Sequence, residues 1–119
     1  MSEVDIESLR GSRRVGIWLE EAHRQQGSSP EEDERRLAVL ARFCAFVDRT
    51  PDEMIDDVLD FDTGKMRLKG RRFYADKIEE FEKAQEGDAF AQRESANLVR
   101  SFFIHNGLFL GTPKAPWLP

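Results

Sequence analysis

The chain has 119 residues, 39% apolar and 34% charged, and its 18 Lys and Arg against 23 Asp and Glu give a formal net charge of −5. That length allows one domain with a modest core, and the regular spacing of apolar residues excludes wholesale disorder. The single cysteine, Cys44, excludes an internal disulfide and fits a reducing compartment, no apolar run reaches the ~18 residues of a membrane span, and MSEVDIESLRGSRR is too acidic for a secretory signal.

Residues 1–11 read as an N-terminal extension. From Ser12 to Gln26, Val15, Trp18, Leu19 and Ala22 recur at helical spacing, and Gly27 closes that helix. Ser29-Pro30-Glu31-Glu32 opens a second helix with an N-cap serine, a proline at the first position and a glutamate at the third. It runs to about Asp48, with Leu37, Leu40, Phe43, Cys44 and Val47 on its core face. Thr50-Pro51-Asp52-Glu53 repeats the start signal for a short third helix carrying Met54, Ile55, Val58 and Leu59. Residues 60–70 read as a loop, with a turn at Asp62-Thr63-Gly64 and a brief extended run from Lys65 to Lys69. A further helix is expected over about Arg72–Glu86, burying Phe73, Ile78 and Phe81 and ending at Gly87. The last starts on Asp88 and stops at Asn106-Gly107, and 111–119 is a Pro-rich tail. The fold class is all-α: four to five helices in two helical hairpins. A short echo, Leu40-Ala41-Arg42-Phe43 against Leu98-Val99-Arg100 and Phe102, fits the two hairpins, although helices of this length share apolar spacing anyway.

The charge is segregated. Residues 31–62 carry eleven acids against four arginines, whereas residues 63–75 carry Lys65, Arg67, Lys69, Arg71 and Arg72 and no acid. Such a cluster suits phosphate, each contact steepening the salt dependence of binding; a solvated loop balancing the acidic segment before it is the plainer explanation. On the second helix Arg35, Arg42 and Arg49 recur every seven residues beside Ala38 and Ala45. On the last, Arg93 and Arg100 flank Ala96, with Gln92 and Asn97 nearby. Small residues allow close approach, and a guanidinium fork matches phosphate or guanine edges; any wet helix face also collects Arg and Ala. Arg outnumbers Lys thirteen to five, a balance suited to a high-salt cytoplasm.

Little in the sequence carries catalysis. His23 and His105 have no ligand-spaced neighbours, so no metal or cofactor is expected; His105 suits a helix C-terminus. Cys44 sits on an apolar face, Tyr74 has no Arg and His set beside it, and Glu79, Glu80 and Glu82 read as a wet helix side. Gly64 and Gly70 fit no phosphate-loop spacing. The expectation is that the chain is no enzyme.

Trp18-Leu19, then Gly27-Ser28-Ser29-Pro30, then Leu40-Ala41-Arg42-Phe43-Cys44-Ala45-Phe46-Val47 resembles the first helical hairpin of the N-terminal SAM-like (core-binding) domain of phage integrases and other tyrosine recombinases. Asp48-Arg49-Thr50-Pro51-Asp52-Glu53-Met54-Ile55 is similar to a connecting helix of the archaeal members, and Asn97-Leu98-Val99-Arg100-Ser101-Phe102-Phe103 with Asn106-Gly107 to the end of their last helix. The likeness covers residues 12–110. It implies one half of a clamp on double-stranded DNA at a recombination site. The catalytic tyrosine and its arginines would lie in a separate C-terminal domain, joined through the tail from Pro113. It places Arg35, Arg36, Arg42, Gln92, Arg93, Asn97 and Arg100 on helices that cross the major groove. Self-association in a synapse would involve the first helix and the C-terminal end. The run Glu31-Glu32-Asp33-Glu34 departs from the Thr or basic residues often found there and would repel phosphate. The competing expectation is a helical protein-interaction or oligomerisation module using segment 52–62 and the apolar tail. In either case the chain is expected to be cytoplasmic, without a membrane partner.

Overall fold

Side-chain caps set most of the helix starts in the computed structural model, which describes residues 6–27 and 29–110. The chain order is α1 (Ile6–Arg10), α2 (Arg13–Gln26), α3 (Pro30–Val47), α4 (Pro51–Val58), β1 (Leu59–Asp60), β2 (Lys65–Met66), α5 (Leu68–Ala84) and α6 (Ala89–His105). Ser12, Ser29 and Asp88 each accept a hydrogen bond from a first-turn N–H of their helix, satisfying one of the donors a helix start leaves open. Thr50 and Glu53 form a full capping box on α4: Glu53 N–H donates to Thr50 Oγ1 at 3.1 Å, and Thr50 N–H to Glu53 Oε1 at 2.9 Å. Gly27 ends α2 in the left-handed region at φ 61°, where only glycine pays no steric cost.

The architecture is an all-α bundle with one two-residue antiparallel ladder, Leu59 opposite Met66 and Asp60 opposite Lys65. α5 and α6 form a tightly packed hairpin. α2 lies chiefly on α6 and α4, and α3 on α6, α1 and α5. The core is aromatic where these helices meet: Trp18 is edge-on to Phe102 at 5.7 Å, Phe43 to Phe81 at 5.2 Å, and Tyr74 leans on Phe103 at 5.4 Å between centroids. Trp18 carries a polar atom into this core, and its Nε1–H donates to Ser101 Oγ at 3.0 Å.

Several boundaries differ from the sequence expectation. The helical body begins at Ile6, within the segment read as an extension, because Leu9 is fully buried and Arg10 pairs with Glu34 on α3. α5 starts at Leu68, four residues before Arg72, and ends at Ala84 with Gln85 extended, ahead of Gly87. No side chain caps its start, so no cap signal marked it. Instead Arg67 N–H donates to Val58 O at 2.6 Å, tying the helix to the end of α4. Phe73 is exposed because its neighbour Tyr74 takes the buried position 100° around α5. Val47 and Leu98 are half-buried. Ala96, expected between outward arginines, is fully buried. The tail 111–119 lies outside the described residues.

Candidate nucleic-acid interface

The arginines expected on helix faces are largely occupied. On α3, Arg35 pairs with Glu94 of α6 at 2.5 Å, and Arg42 Nε donates to Gln85 Oε1 at 3.3 Å. Arg36 is only 7% exposed and lies 3.5 Å from Asp33 and 3.8 Å from Glu32, so it is a packed residue rather than one free to meet phosphate. On α6, Arg100 donates to Asn97 Oδ1 at 2.9 Å and lies 3.7 Å from Glu82 of α5. Gln92 spends its amide on Gln85 O at 2.9 Å, closing the end of α5. Arg42 and Arg93 are both exposed with no ion pair to a described residue, and the neutral Gln85 amide orients Arg42 without neutralising it.

The two arginine rows therefore do not form one surface. Arg35 and Arg42 border a polar groove of about 650 Å³, floored by Ala38, Val39, Ala91 and Ser95, between α3 and the α5–α6 turn. Arg100 turns the other way, toward α5, and Arg93, seven residues back, shares its side of α6.

The basic loop differs in kind. Lys65 is on β2, across the ladder from Asp60. Arg67 Nε donates to Asp56 O at 3.3 Å, and Arg71 Nε to Leu110 O at 3.2 Å. Lys65, Lys69 and Arg72 are exposed, and none of the five bases is within ion-pair distance of a described carboxylate. A backbone carbonyl orients a guanidinium without neutralising it, so Arg67 and Arg71 are held in place with their charge intact. The seventeen-residue α5 separates this end from the Arg42–Gln85 contact by roughly 25 Å.

A further base, Arg14, joins this end, and the sequence reading passed over it and its neighbour Arg13. Arg13 and Arg14 fill the first turn of α2, which holds no acid, just as the first turn of α5 holds none. The Arg14 guanidinium lies 5.0 Å over the ring of Phe61, in the β1–β2 turn, and Asn106 Nδ2 donates to Arg14 O at 3.1 Å. Bases at a helix N-terminus oppose the helix dipole. α3 and α4 obey that rule with Glu31, Glu32, Asp33, Asp52 and Glu53; α5 breaks it, and α2 breaks it within its own first turn, with Asp52 of α4 accepting from its N-cap Ser12 at 3.1 Å. The pair Arg13-Arg14 directly after an N-cap serine was the signal available in the sequence.

Other polar groups have structural partners. Asp57 accepts from Arg49 Nε at 3.1 Å, from Arg49 Nη2 at 2.9 Å and from the Tyr74 hydroxyl at 2.5 Å, joining the α3–α4 connection, α4 and α5. Burial, then the Asp57 carboxylate, hold the Tyr74 hydroxyl above its ordinary range, and the Asp57 hydrogen bond raises Arg49. The Thr50 backbone N–H holds Glu53 below the usual carboxylate value. Tyr74 thus keeps its proton and acts as a clasp. Beside it a cleft of about 440 Å³ is walled by Val47, Lys69 and Phe73. Gly70 makes the close approach possible, since a Cβ there would stand 2.0 Å from Asp57 O. His23 Nε2 meets Asp33 at 2.7 Å, and His105 shares a hydrogen bond with Ser101 at 3.2 Å. Burial pushes the Cys44 thiol up to about 12. Among the described residues no His, Cys, Asp and Glu converge as a metal site, and no helix is long and apolar enough to cross a membrane.

No protein-family model, curated protein or solved structure matches the chain.

Proposed function

We propose that the chain is a non-catalytic helical module that grips double-stranded DNA. In this reading it acts in the cytoplasm as the N-terminal SAM-like half of a tyrosine-recombinase clamp, beside a separate catalytic domain. The observation that carries the DNA-binding part is the loading of the α2 and α5 starts with bases where helices favour acids, with Lys65, Lys69 and Arg72 unpaired by any described carboxylate. Helix N-termini already attract anions, and positive side chains around them form a surface made for phosphate. The grip is anchored at this end, with Arg93 as a further contact. The paired arginines of α3 and α6 take part only by exchanging carboxylate for phosphate, a small change because exposed ion pairs are worth about 0–1 kcal/mol. The recombinase assignment rests on the resemblance of residues 12–110 described above.

Titration of a labelled duplex by fluorescence anisotropy tests the reading. Five phosphate contacts predict affinity falling with a log–log slope against salt of about −4.5; absence of binding at low salt would refute it. A second reading, self-association, is favoured by one observation: Phe90 and Ile104, 76% and 48% exposed, lie fourteen residues apart on the same side of α6. Sedimentation at raised salt would detect it, because apolar association survives screening.

A further inference from the structure

Seven large apolar side chains are exposed among the described residues, and three of them, Phe61, Leu68 and Phe109, lie at the basic end. Phe61 is 59% exposed and sits in the four-residue turn between the paired strands. That turn is fixed: Gly64, at φ 72°, donates its N–H to Asp60 O at 2.7 Å, and Asp62 N–H donates to Asp60 Oδ1 at 3.0 Å. The Arg14 guanidinium lies over the ring, 5.0 Å from its centroid, and the residue still keeps most of its surface exposed. Phe109 directly precedes Leu110, whose carbonyl Arg71 holds. Exposed rings anchored among unpaired bases are the arrangement by which proteins hold unpaired nucleotides, phosphates on the cations and a base on the ring.

We propose that this end binds DNA carrying unpaired bases, with an unstacked base lying on the exposed Phe61 ring and the flanking phosphates on Lys65, Arg67 and Lys69. The proposal rests on the DNA-binding reading above and narrows its substrate to duplex containing a bulge, gap or frayed step. Asp60 and Asp62 flank the ring. Their carboxylates would resist burial in an anionic lipid surface, whereas a carboxylate beside a stacked base accepts hydrogen bonds from exocyclic amino groups. Charge and geometry together thus favour nucleic acid over membrane.

The test compares, by anisotropy, an intact duplex, the same duplex with a three-nucleotide bulge, and the corresponding single strand. The wild-type chain is expected to bind the bulged duplex roughly tenfold more tightly than the intact one. Phe61→Ala should remove that advantage while intact-duplex affinity and the salt slope stay unchanged, and Phe61→Trp should retain it. Circular dichroism confirms that each variant folds. Equal binding of bulged and intact duplex by the wild type would overturn the stacking proposal and leave DNA binding standing, as would equal loss on both in Phe61→Ala. Absence of binding to any of the three DNAs would overturn both. Sedimentation with phosphatidylserine vesicles, lost in Phe61→Ala and unaccompanied by a bulge preference, would make the ring a membrane contact and overturn the proposal.

Discussion

Arg35 and Arg100 each lie against a carboxylate on a neighbouring helix, whereas Lys65, Lys69 and Arg72 lie against none that is described. In sequence the two sets look alike, as bases with small or flexible neighbours. The fold separates them by turning α3 toward Glu94 and α5 toward Arg100. One set closes helix–helix contacts, and the other leaves its charge for something outside the chain. Net charge hides the difference, because it averages an acidic remainder with one basic end whose side chains face no described carboxylate at ion-pair distance.

The comparison breaks most readily at its basic side. Replacing Lys65, Lys69 and Arg72 together by Glu should weaken duplex binding on the order of a thousandfold at 0.1 M salt, near tenfold for each reversed contact. Melting temperature should hold, because those side chains make no ion pair to a described residue. Next in size is Gly70→Ala. The added Cβ meets Asp57 O and pushes the start of α5 from α4. Thermal unfolding should show a loss of about 3 kcal/mol, roughly 10 °C or more for a domain of this size. Because Lys69, Arg71 and Arg72 ride on that turn, DNA affinity should fall with stability.

Asp57→Ala sharpens the contrast between a structural arginine and a functional one. It strands the Tyr74 hydroxyl and frees Arg49, so denaturant titration should register a loss of about 2 kcal/mol with little effect on binding per folded molecule. The smallest effect concerns pH. The depressed Glu53 carboxylate contributes stability above the ordinary carboxylate value, and that contribution is lost as pH falls through its lowered folded value. Glu53→Gln should therefore flatten the acid limb of the stability–pH curve and leave the neutral region nearly unchanged.

Local chemistry made much of this fold legible. Ser12, Ser29-Pro30, Thr50-Pro51 and Asp88 mark helix starts, and Gly27 and Gly107 mark the ends, because caps satisfy backbone groups within a few residues. What stayed hidden depends on distant partners. α1 is five residues long and held by Leu9 in the core. α5 begins without a side-chain cap, on a hydrogen bond to the end of α4. The Arg49–Asp57–Tyr74 clasp joins the α3–α4 connection to two helices that no spacing rule links to it. For the interface, the cluster at Lys65–Arg72 could be read from charge alone. Arg36 could not be set aside without its burial, nor Arg35 without Glu94. Arg14 was readable only as a base standing where the helix dipole disfavours one.

The central claim is that unpaired bases, not all bases, make the interface. The direct measurement is the salt dependence of duplex affinity for the wild type, for Lys65→Gln/Lys69→Gln/Arg72→Gln, and for Arg35→Gln/Arg100→Gln, the two arginines held by carboxylates. The account predicts that the first triple variant makes the log–log slope shallower by about 2.7, at ~0.9 for each lost contact. The second should keep the wild-type slope and lose no more than about threefold in affinity. A second variant that flattens the slope as much as the first would contradict the account.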